Sequence, residues 1–428
     1  MSDREPQIED QNKSPAAAYP GPGFREFVAL MAALMASNAL AIDSMLPALP
    51  AIGQALEVAE DNRRQLVITF YLLGFGAAQL LYGPLSDRFG RKWLVVASML
   101  FYAVFSALAG LAGSFTLLLA ARMMQGVAAA ATRVLVVAIV RDRYSGSAMA
   151  RVMSLTMIVF MIVPVLAPTF GQGVLSIGTW RHIFIGLAVY GLVLGIWTAL
   201  RLPETLAKGD RRPFSASQIG QAAIETLRNR ASIGNSVAVT LTFGALFAFI
   251  NSIQQIVFDV FDKPRLIGLA FACIAGPMAL SSYANSRLVM RLGSRRLLLR
   301  ALTAFTFLAL FHLTIAANFT ENFAVFVMLQ GLTMGCFGLI GANAGSLAME
   351  PLGHIAGTAS SLQGTITTIG GALIGFTIGQ QFDGTTIPFL IGFTLCGAAA
   401  LLTAHWANQG PKAGDQGKAA ATAPPPTP

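Results

Sequence analysis

Apolar residues run through this chain in long unbroken blocks, and the polar positions gather between the blocks instead of alternating within them. A helix needs about 20 mainly apolar residues to cross the hydrocarbon of a bilayer. Twelve blocks of that kind stand at 26–46, 66–86, 93–112, 115–140, 151–175, 180–200, 233–258, 266–286, 297–317, 322–348, 358–381 and 386–406, and each predicts a spanning helix. Barrel strands are excluded, because they are about 10 residues long and alternate. Segment 1–23 carries Asp3, Arg4, Glu5, Glu9, Asp10 and Lys13 and is expected to be a disordered tail, with no cleavable signal peptide ahead of the first block. The end of the chain, 407–428, rich in Pro and Ala, is expected to be a second tail.

Composition strengthens this reading. Of the 428 residues 55% are apolar and 11% charged, against roughly 25% charged in soluble domains, so a water-soluble surface could not be covered. The same figures exclude a disordered chain. Cys273, Cys336 and Cys396 lie inside apolar blocks without CxxC spacing, so neither a disulfide scaffold nor a metal or redox centre is expected. Short loops rich in Lys and Arg stay cytoplasmic. With both tails inside, 22 Lys and Arg fall on the cytoplasmic side and five on the other (Arg63, Arg64, Arg181, Lys263, Arg265). The net charge of +9 therefore reports orientation in a multi-pass cytoplasmic (inner) membrane protein with both termini cytoplasmic, and no nucleic-acid partner is implied.

The longest connection, 201–230, is basic and polar and divides six blocks from six, giving bundles at 24–200 and 231–406. The bundles echo each other. RMMQG at 122–126 matches VMLQG at 327–331, and RFGRK at 88–92 matches RLGSR at 291–295. Two six-helix pseudo-repeats describe an all-α integral membrane transporter of twelve helices with its site near the midplane between the halves.

Ionisable groups within a span cost roughly 2.5–3.5 kcal/mol at the centre on insertion scales, so each marks a functional hypothesis. Asp43, near the outer end of the first span, shares a helical stripe with Ala39, Ala36, Ala32 and Ala29, which turns that face toward protein or a cavity. A carboxyl whose surroundings alternate between wet and dry can carry a proton. Capping of the helix near Leu46-Pro47, or a place at the wet interface, is the structural alternative. Arg122 and Arg133 lie three turns apart on one face of span four, with Gly126, Ala129 and Ala130 between them. Pairing of Arg122 with Asp43 is expected from their comparable depth; Arg133 either faces the same aqueous cavity or snorkels to the cytoplasmic surface. Asn38, Tyr71, Gln125, Asn251, Gln254 and Gln255 are candidates to line a substrate cavity, with helix-to-helix hydrogen bonds or core packing as the alternative. His182 and His312 have no ligand spacing and are expected to be packing or interface residues.

GPLSDRFGRK, 83–92, resembles the loop signature of the major facilitator superfamily, matching at Gly83, Asp87, Arg88, Gly90, Arg91 and Lys92. The resemblance implies the twelve-helix fold of that family and a conformational latch stabilising its outward-facing state. Met290 stands where the second copy would need the acid, so the latch is expected in the first half only. Asp43 followed by MLPALP, Arg122 with Gln125-Gly126, VVAIVRDRYSG at 136–146, Pro164, Pro168 and Gly171 in span five, and RLPETL at 201–206 together resemble the Bcr/CflA branch of drug:proton antiporters. That resemblance implies a bent span five, a cavity between the halves, and Asp43 with Arg122 in proton coupling.

The reading is therefore a monomeric secondary transporter that exports small drug-like or amphipathic compounds in exchange for protons. No GxxxxGK[ST] appears, so no nucleotide cofactor is expected and an ion gradient supplies the energy. An exporter of a physiological metabolite (sugar, peptide or metal chelator) would share these motifs, and an importer fits the span-five resemblance less well. A membrane-embedded enzyme would need HExxH, GxSxG or clustered His and Asp at span depth, and these are absent from the sequence.

Overall fold

A computed structural model describes residues 21–207, 209, 211 and 216–409, and among these regular structure is helical with no strand. Helix α1 (Phe24–Asp43) is followed by a 3₁₀ turn at Leu46–Ala48, whose Pro47 has no N–H to continue the α pattern, and by the short α2 (Leu49–Ala55). The first half continues as α3 (Leu66–Phe89), α4 (Arg91–Gly110), α5 (Phe115–Arg143), α6 (Gly146–Ile177) and α7 (Trp180–Arg201). The second half holds α9 (Arg230–Gln255), α10 (Ile267–Leu292), α11 (Ser294–Asn318), α12 (Phe323–Met349), α13 (Ala356–Gly379) and α14 (Ile387–Ala407). Among the described residues ten stretches are long and apolar enough to cross a membrane. One of them, Phe323–Gly379, contains both α12 and α13, which part at the 3₁₀ turn Glu350–Ile355; α6 adds the shorter apolar run Ile162–Ile177.

The connection at 201–230 holds an element that its polarity concealed, α8 (Ala216–Arg228). It buries Ala222 and Thr226 and packs on α9 and α13, while Glu225 meets His354 at 2.9 Å. The expected tails lie almost wholly outside the described residues.

Within the first half α3 packs on α5, α4 on α5 and α7, and α1 on α6; within the second, α10 packs on α12, α11 on α12 and α14, and α9 on α13. The halves meet along α3 with α13 and along α6 with α10. Helices α4, α7, α11 and α14 present outward rows such as Leu100, Phe101 and Leu108, or Phe307 and Phe311, which are exposed. Contiguous apolar exposure of this kind suits lipid and not water.

Gly90 (φ +93°) and Gly293 (φ +77°) end α3 and α10 and begin the next helix in matching loops. The first N–H groups of a helix lack internal partners. At α4 the Glu204 carboxylate accepts from the N–H groups of Arg91 (2.8 Å) and Lys92 (3.3 Å), so the RLPETL segment closes back on the signature loop. A side chain at Gly90 would meet Glu204 Oε2 at 2.5 Å, whereas nothing lies within 4 Å of one at Gly293.

Gly293→Ala should therefore cost about 1–3 kcal/mol from backbone strain alone. Gly90→Ala should cost about 1 kcal/mol more, because it also dislodges the acidic cap. Thermal unfolding of the two variants in detergent checks this; equal losses would show that the Glu204 contact contributes nothing.

Candidate functional site

Asp43 is the last residue of α1 and is 4% exposed. Of its alanine stripe Ala32, Ala36 and Ala39 are buried and Ala29 is exposed. Gly171 sets the approach of α6: a Cβ there would lie 2.2 Å from the Ser44 carbonyl oxygen, so only glycine lets the helix close against the chain just past Asp43. Pro164 and Pro168 lie inside α6, which is helical throughout 146–177. One carboxyl oxygen of Asp43, Oδ1, is buried without a hydrogen-bond partner.

The expected pairing of Asp43 with Arg122 is not formed; no ion pair among the described residues includes either. Arg122 is fully buried and its guanidinium is committed to other acceptors. Nε donates to the Val67 carbonyl (3.0 Å), Nη2 to the Ala41 carbonyl (3.1 Å) and Nη1 to Gln125 Oε1 (2.6 Å). The Tyr71 ring lies 4.5 Å below it. The reason is the end of α1. Ala41 is among the last residues of that helix, whose carbonyls lack internal partners and carry the negative end of its dipole. A fixed cation there satisfies the helix end and joins α1, α3 and α5 at one point.

The candidate cavity residues separate into three groups. Asn38 and Tyr71 form one network with Thr132: the Tyr71 hydroxyl donates to Asn38 Oδ1 (2.9 Å), and Asn38 Nδ2 donates to Thr132 Oγ1 (3.0 Å). Gln125 supports Arg122 and donates to Ser106 Oγ (2.7 Å). Gln255 belongs to a contact between the halves at the end of the molecule away from α8. There Gln65 Nε2 donates to Gln255 Oε1 (2.6 Å) and to the Gly379 carbonyl (3.1 Å), Gln255 Nε2 to Asn62 Oδ1 (2.7 Å), and Gln380 Nε2 to the Asn62 carbonyl (2.8 Å). Asn251 and Gln254 are buried beside this contact, with Asn251 Nδ2 and Oδ1 and Gln254 Nε2 unpartnered.

Arg133 is exposed and makes no hydrogen bond or ion pair among the described residues. It lies on the face of α5 that carries Arg122, three turns along and opposite exposed Met124.

At the α8 end, buried Arg91 joins Asp142 Oδ2 (2.5 Å) and Asp87 Oδ1 (3.4 Å), and Thr205 Oγ1 donates to Asp142 Oδ2 (3.1 Å). Asp87 is thus held within the first half. Gly83 faces Ser361 of α13, while Arg88 and Lys92 sit over the rings of Phe89 and Trp93.

Several participants escape sequence reasoning. Asn62, Gln65 and Gln380 lie at block edges, where amides read as ordinary loop polarity. Glu204 and Asp142 sit in connections, and their partners are far along the chain. Glu321 accepts from Thr386 Oγ1 (2.7 Å) and meets His312 Nε2 at 2.5 Å, a buried pair that no spacing announces. His182 caps the start of α7 with Thr179.

The description Major Facilitator Superfamily belongs to the family model that matches residues 31–375. A Haemophilus influenzae protein named bicyclomycin resistance protein homolog is 28% identical over 369 residues, covering 85% of this chain and 92% of its own. A Bacillus subtilis protein named uncharacterized MFS-type transporter YdgK is 30% identical, covering 84% and 89%. Multidrug resistance protein MdtL of Salmonella heidelberg is 30% identical, covering 87% and 93%. The crystal structure of the human organic anion transporter MFSD10 (TETRAN) superposes with a TM-score of 0.62 at 19% identity, over 90% of this chain and all of that one, a likeness of fold.

Arg122→Lys keeps the charge and loses the fork. At about 1.5–3 kcal/mol for each hydrogen bond to a charged group, loss of two should destabilise the fold by about 3 kcal/mol or more. A thermal midpoint within a degree of the parent protein would show that the three-way junction is dispensable.

Proposed function

The chain belongs to the Major Facilitator Superfamily, and from that premise we propose that it exports small drug-like or amphipathic compounds from the cytoplasm in exchange for protons. It is a multi-pass membrane protein and a transporter rather than an enzyme. Relatives named for bicyclomycin and multidrug resistance support a drug-like cargo. We take α1, α3 to α7 and α9 to α14 as twelve spans in two bundles related by a pseudo-repeat. Support comes from the pairings α3–α5, α4–α7 and α4–α5, which recur as α10–α12, α11–α14 and α11–α12. The excess of Lys and Arg on the side of α8 supports a cytoplasmic location for that end, for both termini and for the linker, in the inner membrane.

In this reading the amide contact around Gln65 and Gln255 seals the outer end, and the cleft reached by Arg133 opens inward. Asp87, held by Arg91 and not by the second half, fits a signature loop disengaged as a latch. Arg122 is then a positioning residue: it holds the end of α1 and so fixes the depth of Asp43. The carrying observation is Asp43 itself, a buried carboxyl with an unpartnered oxygen and no fixed counter-ion, set where α1, α6 and the sealed end converge. Parting of the outer contact would wet it from outside, and closure would return it to the inner cleft, so it can take a proton from one side and release it to the other as cargo moves the opposite way.

Inverted membrane vesicles carrying an imposed pH gradient test this. Addition of a transported drug should evoke proton release that Asp43→Asn reduces to the level of vesicles lacking the protein, while drug-for-drug exchange persists. Undiminished release from the Asn variant would remove Asp43 from the coupling role.

A further inference from the structure

Helix α8 is packed along one side and uncovered along the other. Ala222 and Thr226, one turn apart, point the same way and are buried where the helix packs on α9 and α13. Ile224 and Leu227 point the opposite way and are each 52% exposed. Arg228 and Gln221 lie along one edge of that apolar stripe, both exposed. Glu225 lies beyond them and is engaged by His354 of the second half at 2.9 Å. Toward the end of the helix Gln221, Ile224, Glu225, Arg228 and Asn229 line an open hollow of about 430 Å³.

The hollow stands at the level where the second bundle leaves the hydrocarbon. Asn229 in its wall caps α9 by accepting from the Ser232 N–H (3.0 Å). The next residue, Arg230, donates to the Trp406 carbonyl (2.6 Å) and lies 4.9 Å from the centre of the Trp406 ring. Trp406 is 48% exposed and continues the outward row of Leu395 and Leu402 on α14. Tryptophan at the end of such a row marks the headgroup zone of a bilayer. Exposed Trp93, with Lys92 over its ring, marks the same zone in the first bundle. The uncovered stripe of α8 therefore lies beside a surface that lipid covers.

We propose that the uncovered face of α8 binds an anionic phospholipid of the cytoplasmic leaflet, with the headgroup phosphate in the hollow against Arg228 and an acyl chain along Ile224 and Leu227. The leaflet follows from the orientation argued above, and the site is independent of what the protein carries. Charge selects this occupant. Glu225 is the only acid in 216–230, against Arg228 and Arg230, so the hollow lies at a net positive end of the helix. A guanidinium on a long stem beside apolar residues can reach a headgroup while the stem rests on the chains. A free anion would leave the stripe bare to water, and a zwitterionic lipid would bring a second cation up to Arg228. Basic amphipathic helices at an interface bind by this sum of apolar burial and attraction to anionic lipid. Because α8 grips α9, α13 and, through Glu225, the turn after α12, an occupied site should stabilise the second bundle.

The test uses purified full-length protein in a non-ionic detergent, titrated with dioleoyl phosphatidylglycerol or dioleoyl phosphatidylcholine while the thermal midpoint is followed. Half of the rise should need about fivefold less phosphatidylglycerol, the factor that one basic side chain at an anionic surface predicts. Arg228→Gln should erase the preference and leave the lipid-free midpoint unchanged, and Arg228→Lys should retain most of it. Ile224→Ser with Leu227→Ser should weaken both lipids. Glycerol 1-phosphate, which offers the phosphate without chains, should give no rise over the same range. In the unaltered protein the preference should vanish at about 1 M salt, where charges are screened within about 3 Å, a measurement that needs no variant to fold. Equal titrations by the two lipids, a preference that survives Arg228→Gln or salt, or a rise with glycerol 1-phosphate matching that of phosphatidylglycerol overturns the lipid site. So does a dimer abolished by the double serine variant, which would give the face to a second copy of the chain. None of these readouts involves drug or proton movement, so their failure and the failure of the export reading are separable.

Discussion

A polar group inside hydrocarbon must find its partner within the protein, and in this chain one guanidinium meets that demand for three helices at once. Arg122 binds carbonyls of α1 and α3 and the amide of Gln125 in α5, with the Tyr71 ring against its face. The Ala41 carbonyl is open only because α1 stops at Asp43, and α1 stops there because Pro47 and Pro50 break the run that follows. The cation and the acid are therefore linked through the helix terminus and not through a salt bridge. A direct pair would hold Asp43 in one charge state. The observed junction holds the backbone and leaves the carboxyl free of any permanent partner.

The two ends of the molecule are fastened by different chemistry. Near α8 the fastenings are charged: Arg91 with Asp142 and Asp87, and Glu204 on the start of α4. These three join the first bundle to itself and to the start of the connection, while Glu225 of α8 reaches His354 of the second half. At the opposite end the contact between halves consists of neutral amides and carbonyls. Each such bond is worth about 0.5–1.5 kcal/mol net, because water replaces it when it opens. A seam of this kind closes firmly as a set and parts without stranding a charge. That is the behaviour a joint between two moving bodies requires.

Much of the fold was legible in the sequence because bilayer thickness fixes block length. The blocks at 66–86, 180–200 and 386–406 fall within α3, α7 and α14 almost end to end. The turns after α3 and α10 were legible from Gly90 and Gly293, since the backbone there adopts a conformation open to glycine. Asp43 and Arg122 were legible as residues out of place, but their relation was not. Depth along a helix follows from counting at 1.5 Å per residue, whereas azimuth between helices does not, so matched depth suggested a pair that the packing does not make. The same limit hid Gln65, Asn62 and Gln380, whose partners lie some 190 to 320 positions away. Helix α8 was hidden for another reason: its burial depends on α9 and α13, which the composition of a polar linker does not reveal.

The unequal distribution of charge between the halves follows from the cost of placing it. Each ion at span depth raises the insertion cost by about 2.5–3.5 kcal/mol, and a second acid with its own cation would raise it twice more. One set suffices where two bundles move against each other, because a proton bound in either half sees the same opening and closing. The second bundle is then released from any coupling duty. Its amides at the corresponding positions carry dipoles and no charge. A carboxyl that had to serve both proton and cargo would tie cargo choice to protonation state.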